Sequence, residues 1–239
     1  RILSCLHLVD NSTRTPTSPR LFKLGTCYQA IVNRLKAVYT PLQNISIDET
    51  LSHWRGRVSF RQYIPSKRAR YGIKAYVLAE SETGYVYDHH IYTGEEQQNA
   101  ILVGLSITEN IVLSLMLSIL DVGYKLWMDN YYNSPSLTQR LLDFKTHVCG
   151  TLRSNRKGVP KMVQKTTANK KLKKGQFVFY RYDNFMVGTW QNKKPITMIS
   201  TTHADTVPAD TGKTTHDGQP IAKPQCIQDY NRLANYISL

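Results

Sequence analysis

The 239 residues carry 31 Lys and Arg against 17 Asp and Glu, a formal charge of +14, and 41% of them are apolar. That is enough to bury one large domain, or one domain with an insertion, and the basic excess favours polyanions, nucleic acid before anionic membrane, over acidic protein partners. Four scattered cysteines without a Cys-x-x-Cys pair exclude a zinc ribbon or a disulfide framework and suit reduced intracellular thiols, and no signal peptide or bilayer-length apolar run is present.

The chain opens on Arg1 rather than Met, which suggests a fragment or a degenerate gene copy. Residues 1–20 are polar and rich in Ser, Thr and Pro, as in a remnant or linker. Leu24, Tyr28, Ile31, Val32, Leu35 and Val38 recur at helical spacing within 21–38, and Pro41 stops that helix. Three strands are predicted next, over 44–48, 72–80 and 85–92, with the turn chemistry of 81–84 making a hairpin of the last two. Ser106 and Glu109 form a capping-box signature for a helix to about Leu120, apolar nearly all round and therefore buried. A strand ends at Asp129, and Asn133-Ser134-Pro135 opens a helix to about Phe144. Residues 147–152 then read as a fifth strand.

The order β-β-β-α-β-α-β is that of an RNase H-like core. Beyond it, 153–174 holds nine basic residues and no acidic one. Residues 176–190 and 195–202 are strand-like and aromatic, as in a small β-rich insertion, and 204–224 is turn-rich and reads as loop. The expected fold class is thus α/β, a mixed sheet flanked by helices with a β-rich insertion after the fifth strand. The expected divisions are an amino-terminal remnant with one helix (1–43), the core (44–153), a basic linker plus insertion (154–223) and the end of the core (224–239).

Asp48 and Asp129 each close an apolar strand. In a core of this order the first and fourth strands are neighbours, so the two carboxylates can converge. Hard oxygen ligands of this kind suit Mg²⁺ or Mn²⁺ beside a phosphodiester backbone. Taken alone, two Asp residues more often cap turns or face solvent. The segment 55–74 contains seven Lys and Arg and no acid. It follows Asp48 directly, so Arg55, Arg57, Arg61, Lys67, Arg68 and Arg70 could contact phosphates, although a solvated charged hairpin also makes such a run. Arg153, Arg156, Lys157 and Lys161 lead the second basic stretch. Lys170-Lys171-Leu172-Lys173-Lys174 could serve nuclear import or touch a DNA backbone, and the motif is unspecific. His89-His90 fall on opposite faces of a strand and make a poor metal pair, while Trp190 suits packing within the insertion better than stacking on a base.

These blocks resemble the catalytic domain of piggyBac transposases. The likeness lies in Ile47-Asp48-Glu49, Arg55-Gly56-Arg57, Gln62-Tyr63-Ile64-Pro65-Ser66-Lys67 and Tyr71-Gly72-Ile73-Lys74. It continues through Gly84-Tyr85-Val86, Ile91-Tyr92-Thr93-Gly94, Met128-Asp129-Asn130-Tyr131-Tyr132 and the run from Gly150 to Pro160. Ser200-Thr201-Thr202-His203 and Pro224-Gln225-Cys226 close it. The order of the blocks, collinear from about residue 21 onward, carries the resemblance more than any one of them.

The resemblance implies a nuclear enzyme that cuts and pastes double-stranded DNA at TTAA targets, using three aspartates to hold divalent metal, with no membrane and no small-molecule substrate. It places the first two catalytic and metal-binding aspartates at Asp48 and Asp129. The third does not carry over: in register after Tyr230-Asn231, Ser238 stands where the family has its last aspartate, with Asn235 and Tyr236 in place of two glycines. Asp229 falls on the wrong side of that motif. Asn192 also replaces a usual aspartate. A neutral hydroxyl is a poor substitute for a metal-binding carboxylate.

The leading expectation is therefore a transposable element-derived, DNA-binding remnant that cannot complete transposition. The alternatives are a host-adopted, non-catalytic nuclear DNA- or chromatin-binding protein, and an active transposase whose carboxyl end was lost from the gene model. Homodimerisation is left open.

Overall fold

A computed structural model describes residues 7–65, 67, 69–94, 104–164, 172–203, 208–214 and 220–234. Its centre is one sheet of nine strands: β1 (Asn44–His53), β2 (Gln62–Tyr63), β3 (Tyr71–Glu80), β4 (Val86–Ile91), β5 (Lys125–Met128), β6 (His147–Thr151), β7 (Phe177–Arg181), β8 (Met186–Gln191) and β9 (Pro195–Ser200). The spatial order is β2-β3-β1-β5-β6-β9-β8-β7, with β4 also on β3. The β1–β5 and β5–β6 pairs are parallel and the others antiparallel.

Among the described residues four α-helices accompany the sheet: α1 (Gly25–Val38), α2 (Ile107–Met116), α3 (Pro135–Asp143) and α4 (Gln225–Leu233). Parallel neighbours need crossover connections, and α2 and α3 lie in the two that feed β5 and β6. Ser106 and Glu109 form the expected capping box on α2, each satisfying a backbone N–H of the other. Ser134 caps α3 through the Leu137 N–H, with Pro135 as its first residue. The α2 helix stops at Met116, short of Leu120, and the left-handed residues Asp121 (φ 63°) and Gly123 (φ 101°) then steer the chain into β5.

Alternation along the strands divides the core. On one face Ile45, Ile47, Leu78, Leu126, Met128 and Val148 pack with Val112, Leu115 and Met116 of α2 and Leu137 and Leu141 of α3. On the other, Trp127, Cys149, Met186, Trp190 and Met198 pack with Cys226, Ile227 and Leu233 of α4. No helix among the described residues is long and apolar enough to cross a membrane.

Two expectations need correction, and a third gains its place in the sheet. The first strand does not end at Asp48, because antiparallel pairing with β3 carries β1 on from Ile45 to His53, while the parallel pairing with β5 stops at Ile47–Met128. The β-rich stretch after the fifth strand continues the central sheet, because β9 pairs with β6. The stretch expected as loop contains a hairpin, β10 (Pro208–Thr214) with β11 (Pro220–Pro224). Its irregular register between Asp210 and Thr214 breaks the alternation that would have marked it.

Candidate metal and nucleic-acid site

Asp48 stands one residue beyond the β1–β5 pairing, and Asp129 follows Met128 directly at the end of β5. Ser46 and Trp127 are partners in that register. Two residues further along each chain, Asp48 and Asp129 therefore project from the sheet face that carries Trp127. Glu49 belongs to the opposite face, where its carboxylate accepts a hydrogen bond from the buried Tyr132 hydroxyl at 3.3 Å.

Burial pushes the Asp48 carboxyl up to about 6, helped by the negative charges of Glu49 and Asp129 and opposed by the Glu49 N–H and Lys67. Asp129 is raised as well, chiefly by burial. One oxygen of each carboxylate is occupied locally: Asp48 accepts from the Glu49 N–H at 2.8 Å, and Asp129 from the Tyr131 N–H at 2.8 Å.

The floor under Asp129 depends on a glycine. Asn133 donates to the Met128 carbonyl at 3.0 Å and to the Thr151 carbonyl at 2.9 Å, tying the ends of β5 and β6 together. A Cβ at Gly150 would stand 1.8 Å from the Met128 oxygen and 2.6 Å from the Asn133 amide nitrogen, so only glycine admits this bridge.

The basic rim comes from both predicted stretches. Lys67 donates to the Glu49 carbonyl at 3.2 Å, Arg153 to the Asn130 side chain at 3.3 Å and Arg156 to the Tyr131 carbonyl at 2.6 Å. Arg55, Arg61 and Arg70 line a different cleft beyond the end of β1, and Arg57 is exposed beside it. Lys157 and Lys161 are exposed past the end of β6. Arg68, Lys170, Lys171, Asn235, Tyr236 and Ser238 lie outside the described residues.

Two further residues belong to the site. Burial lowers the Lys74 ammonium against the pull of Glu49 and Asp48. Its nitrogen sits 4.7 Å from the Tyr76 ring centre and 5.4 Å from that of Tyr131. Tyr230, on α4, packs against the cluster around Trp127 and is pushed up to about 12 by burial, with the charges of Asp129 and Asp48 adding to it. In the sequence Lys74 stood only within the basic segment 55–74 and the Tyr71–Lys74 block, and the register with β1 shows what it faces. No local signal singled out Tyr230 except its place in the Tyr-Asn pair.

Asp229 is committed elsewhere. His203 Nε2 lies 3.0 Å from one of its oxygens and Arg232 donates to the other at 3.2 Å. Among the described residues no group of three or more His, Cys, Asp or Glu side chains could hold a metal ion. Trp190 is buried in the core, its indole N–H reaching the Gly175 carbonyl at 3.3 Å.

The two converging carboxylates fit a small hard cation. Mg²⁺ is commonly held by one or two carboxylates, the rest of its shell being water and substrate phosphate oxygens.

A family model described as Transposase IS4 matches residues 1–238. The chain belongs to this family. A solved structure sharpens the placement: a cryo-EM structure of a piggyBac transposase synaptic complex with hairpin DNA superposes with a TM-score of 0.82 at 25% identity. The match covers 99% of this chain and 48% of that one, so this piggyBac-type transposase chain spans about half the length of its structural relative.

Proposed function

We propose that this chain is a DNA-binding, transposable element-derived form of a cut-and-paste transposase catalytic domain, acting in the nucleus on an RNase H-like sheet. The observation that carries the reading is the pair Asp48 and Asp129, brought from distant parts of the chain to one face at adjacent strand ends. These two residues would hold Mg²⁺ or Mn²⁺. When bound, such an ion supplies Lewis-acid stabilisation of charge on a phosphate oxygen and a water nucleophile at neutral pH. Lys67, Arg153 and Arg156 would place a DNA backbone across the carboxylates, and Arg57, Lys157 and Lys161 would extend the contact. Arg68 would join them. The family's DNA target and the relative's hairpin complex support duplex DNA as the partner.

Full transposition is the activity this sequence lacks, because a serine, Ser238, occupies the third carboxylate position. Incubation with a TTAA-bearing duplex in Mg²⁺ or Mn²⁺ should give binding without nicking. Robust cleavage that disappears in Asp48→Ala would overturn the incompetence, and absence of binding at low salt would overturn the DNA reading.

A further inference from the structure

About 17 Å along β1 from Asp48, at the extended-strand rise per residue, the chain opens a cleft of about 440 Å³ lined by His53, Trp54, Arg55, Arg61, Arg70 and Tyr71. Three large aromatic side chains at this place stay in water: Trp54 is 45% exposed, Tyr63 53% and Tyr71 49%. Two of them already have partners. Tyr63 and Tyr71 lie against one another with ring centres 4.7 Å apart, and the Arg61 guanidinium sits 5.3 Å from the Tyr71 centre. Trp54 is different. Gly56 tucks so closely against one side of its indole that a Cβ there would stand 2.6 Å from Nε1. The Trp54 backbone N–H also donates to the Tyr71 carbonyl at 3.4 Å. The backbone is held and Gly56 packs against part of the indole, while Arg55, Arg61 and Arg70 line the same cleft as the exposed remainder of the ring. The segment 51–79 contains no acidic residue to neutralise them.

An exposed, supported aromatic face beside cationic groups is the arrangement that takes a nucleobase whose partner strand is absent, the ring stacking and the arginines holding the flanking phosphates. A paired duplex presents phosphates but no base face at its side. We propose that this cleft is a binding site for an unpaired DNA base, with Trp54 as the stacking platform and Arg55, Arg61 and Arg70 as its phosphate contacts. The proposal rests on the DNA-binding reading above and adds to it a preference for unstacked DNA several nucleotides from the carboxylates.

Tryptophan emission reads the site directly, because Trp127 and Trp190 are only 3% and 5% exposed. The probes are a short oligothymidylate, an abasic oligomer of equal charge and a blunt hairpin duplex. All three should bind, and only the thymidylate should quench Trp54. Trp54→Leu should weaken thymidylate binding about tenfold and leave the abasic oligomer unchanged. Gly56→Ala, which displaces the indole without removing it, should produce the same selective loss. Equal quenching by thymidylate and abasic oligomer, or equal weakening of both in Trp54→Leu, would overturn the base site while leaving DNA binding intact. Failure of all three probes to bind would instead overturn the DNA reading on which it stands.

Discussion

Asp48 holds its proton more tightly in the folded protein than in the unfolded chain, since burial raises it to about 6 from an ordinary 3.8. Between those values the native state keeps a proton that the unfolded state has released, so stability without metal falls as pH rises through that window. Asp48→Asn should therefore raise the melting temperature of metal-free protein at pH 7 by roughly 2–4 °C and give no gain near pH 4. Mn²⁺ should raise the wild-type midpoint and leave that of Asp48→Asn unmoved. Calorimetry at both pH values checks this, and an equal response of the two proteins to Mn²⁺ would remove Asp48 from the metal site. Gly150→Ala, which forces a Cβ onto the Met128 carbonyl, should cost about 1–3 kcal/mol in denaturant unfolding. Both aspartates were visible in the sequence as acids following apolar runs. Their convergence was expected from the strand order, while the face they share follows from the β1–β5 register, which no local pattern encodes.

The α4 helix is the element on which the site's far wall depends. Ile227 and Leu233 bury it against Trp127 and Cys149, and the His203–Asp229 contact fixes its orientation. Burial alone would raise Asp229, but hydrogen bonds from His203 and Gln225 and the charge of Arg232 outweigh it and hold the carboxyl below 3.8. The stabilisation this gives is present above the usual carboxylate range and lost as pH falls through the lower native value. Asp229→Asn should melt below the wild type at pH 7, the gap closing in strong acid. A gap independent of pH would mean that the side chain acts through packing alone. Helix ends carried the clearest sequence signals, because capping is local: Ser106 with Glu109, and Ser134 with Pro135, mark helices by chemistry within four residues. Strand ends were less legible. β1 runs to His53 because β3 supplies partners that only the folded chain reveals.

In the molecule as a whole, β9 joins β6, so the segment expected to form an insertion shares one sheet with β1 and β5 and one core cluster with β5 and β6. Trp127 and Trp190 lie in the same cluster and should report a single unfolding transition in single-tryptophan variants; two separate midpoints would show that the β7–β9 strands fold apart from the rest. The charge of +14 sets the long-range behaviour. If about six phosphates are neutralised, duplex affinity should fall roughly 10³-fold between 50 and 200 mM salt, and salt-insensitive binding would contradict a backbone-led contact. The β-β-β-α-β-α-β order was legible in the sequence because each of those elements has its own periodicity, whereas the two-residue β2 is too short to show one. The joining of sheets was hidden, since an edge strand does not name its neighbour. The parallel β1–β5 pair has a consequence for synthesis. Until Lys125–Met128 leaves the ribosome, β1 carries an open hydrogen-bonding edge, the kind of surface that recruits other chains. Translation products ending before β5 would therefore be sticky, and the arrival of β5 closes that edge where the two aspartates can first meet while handing the open edge on to β5 itself until β6 follows.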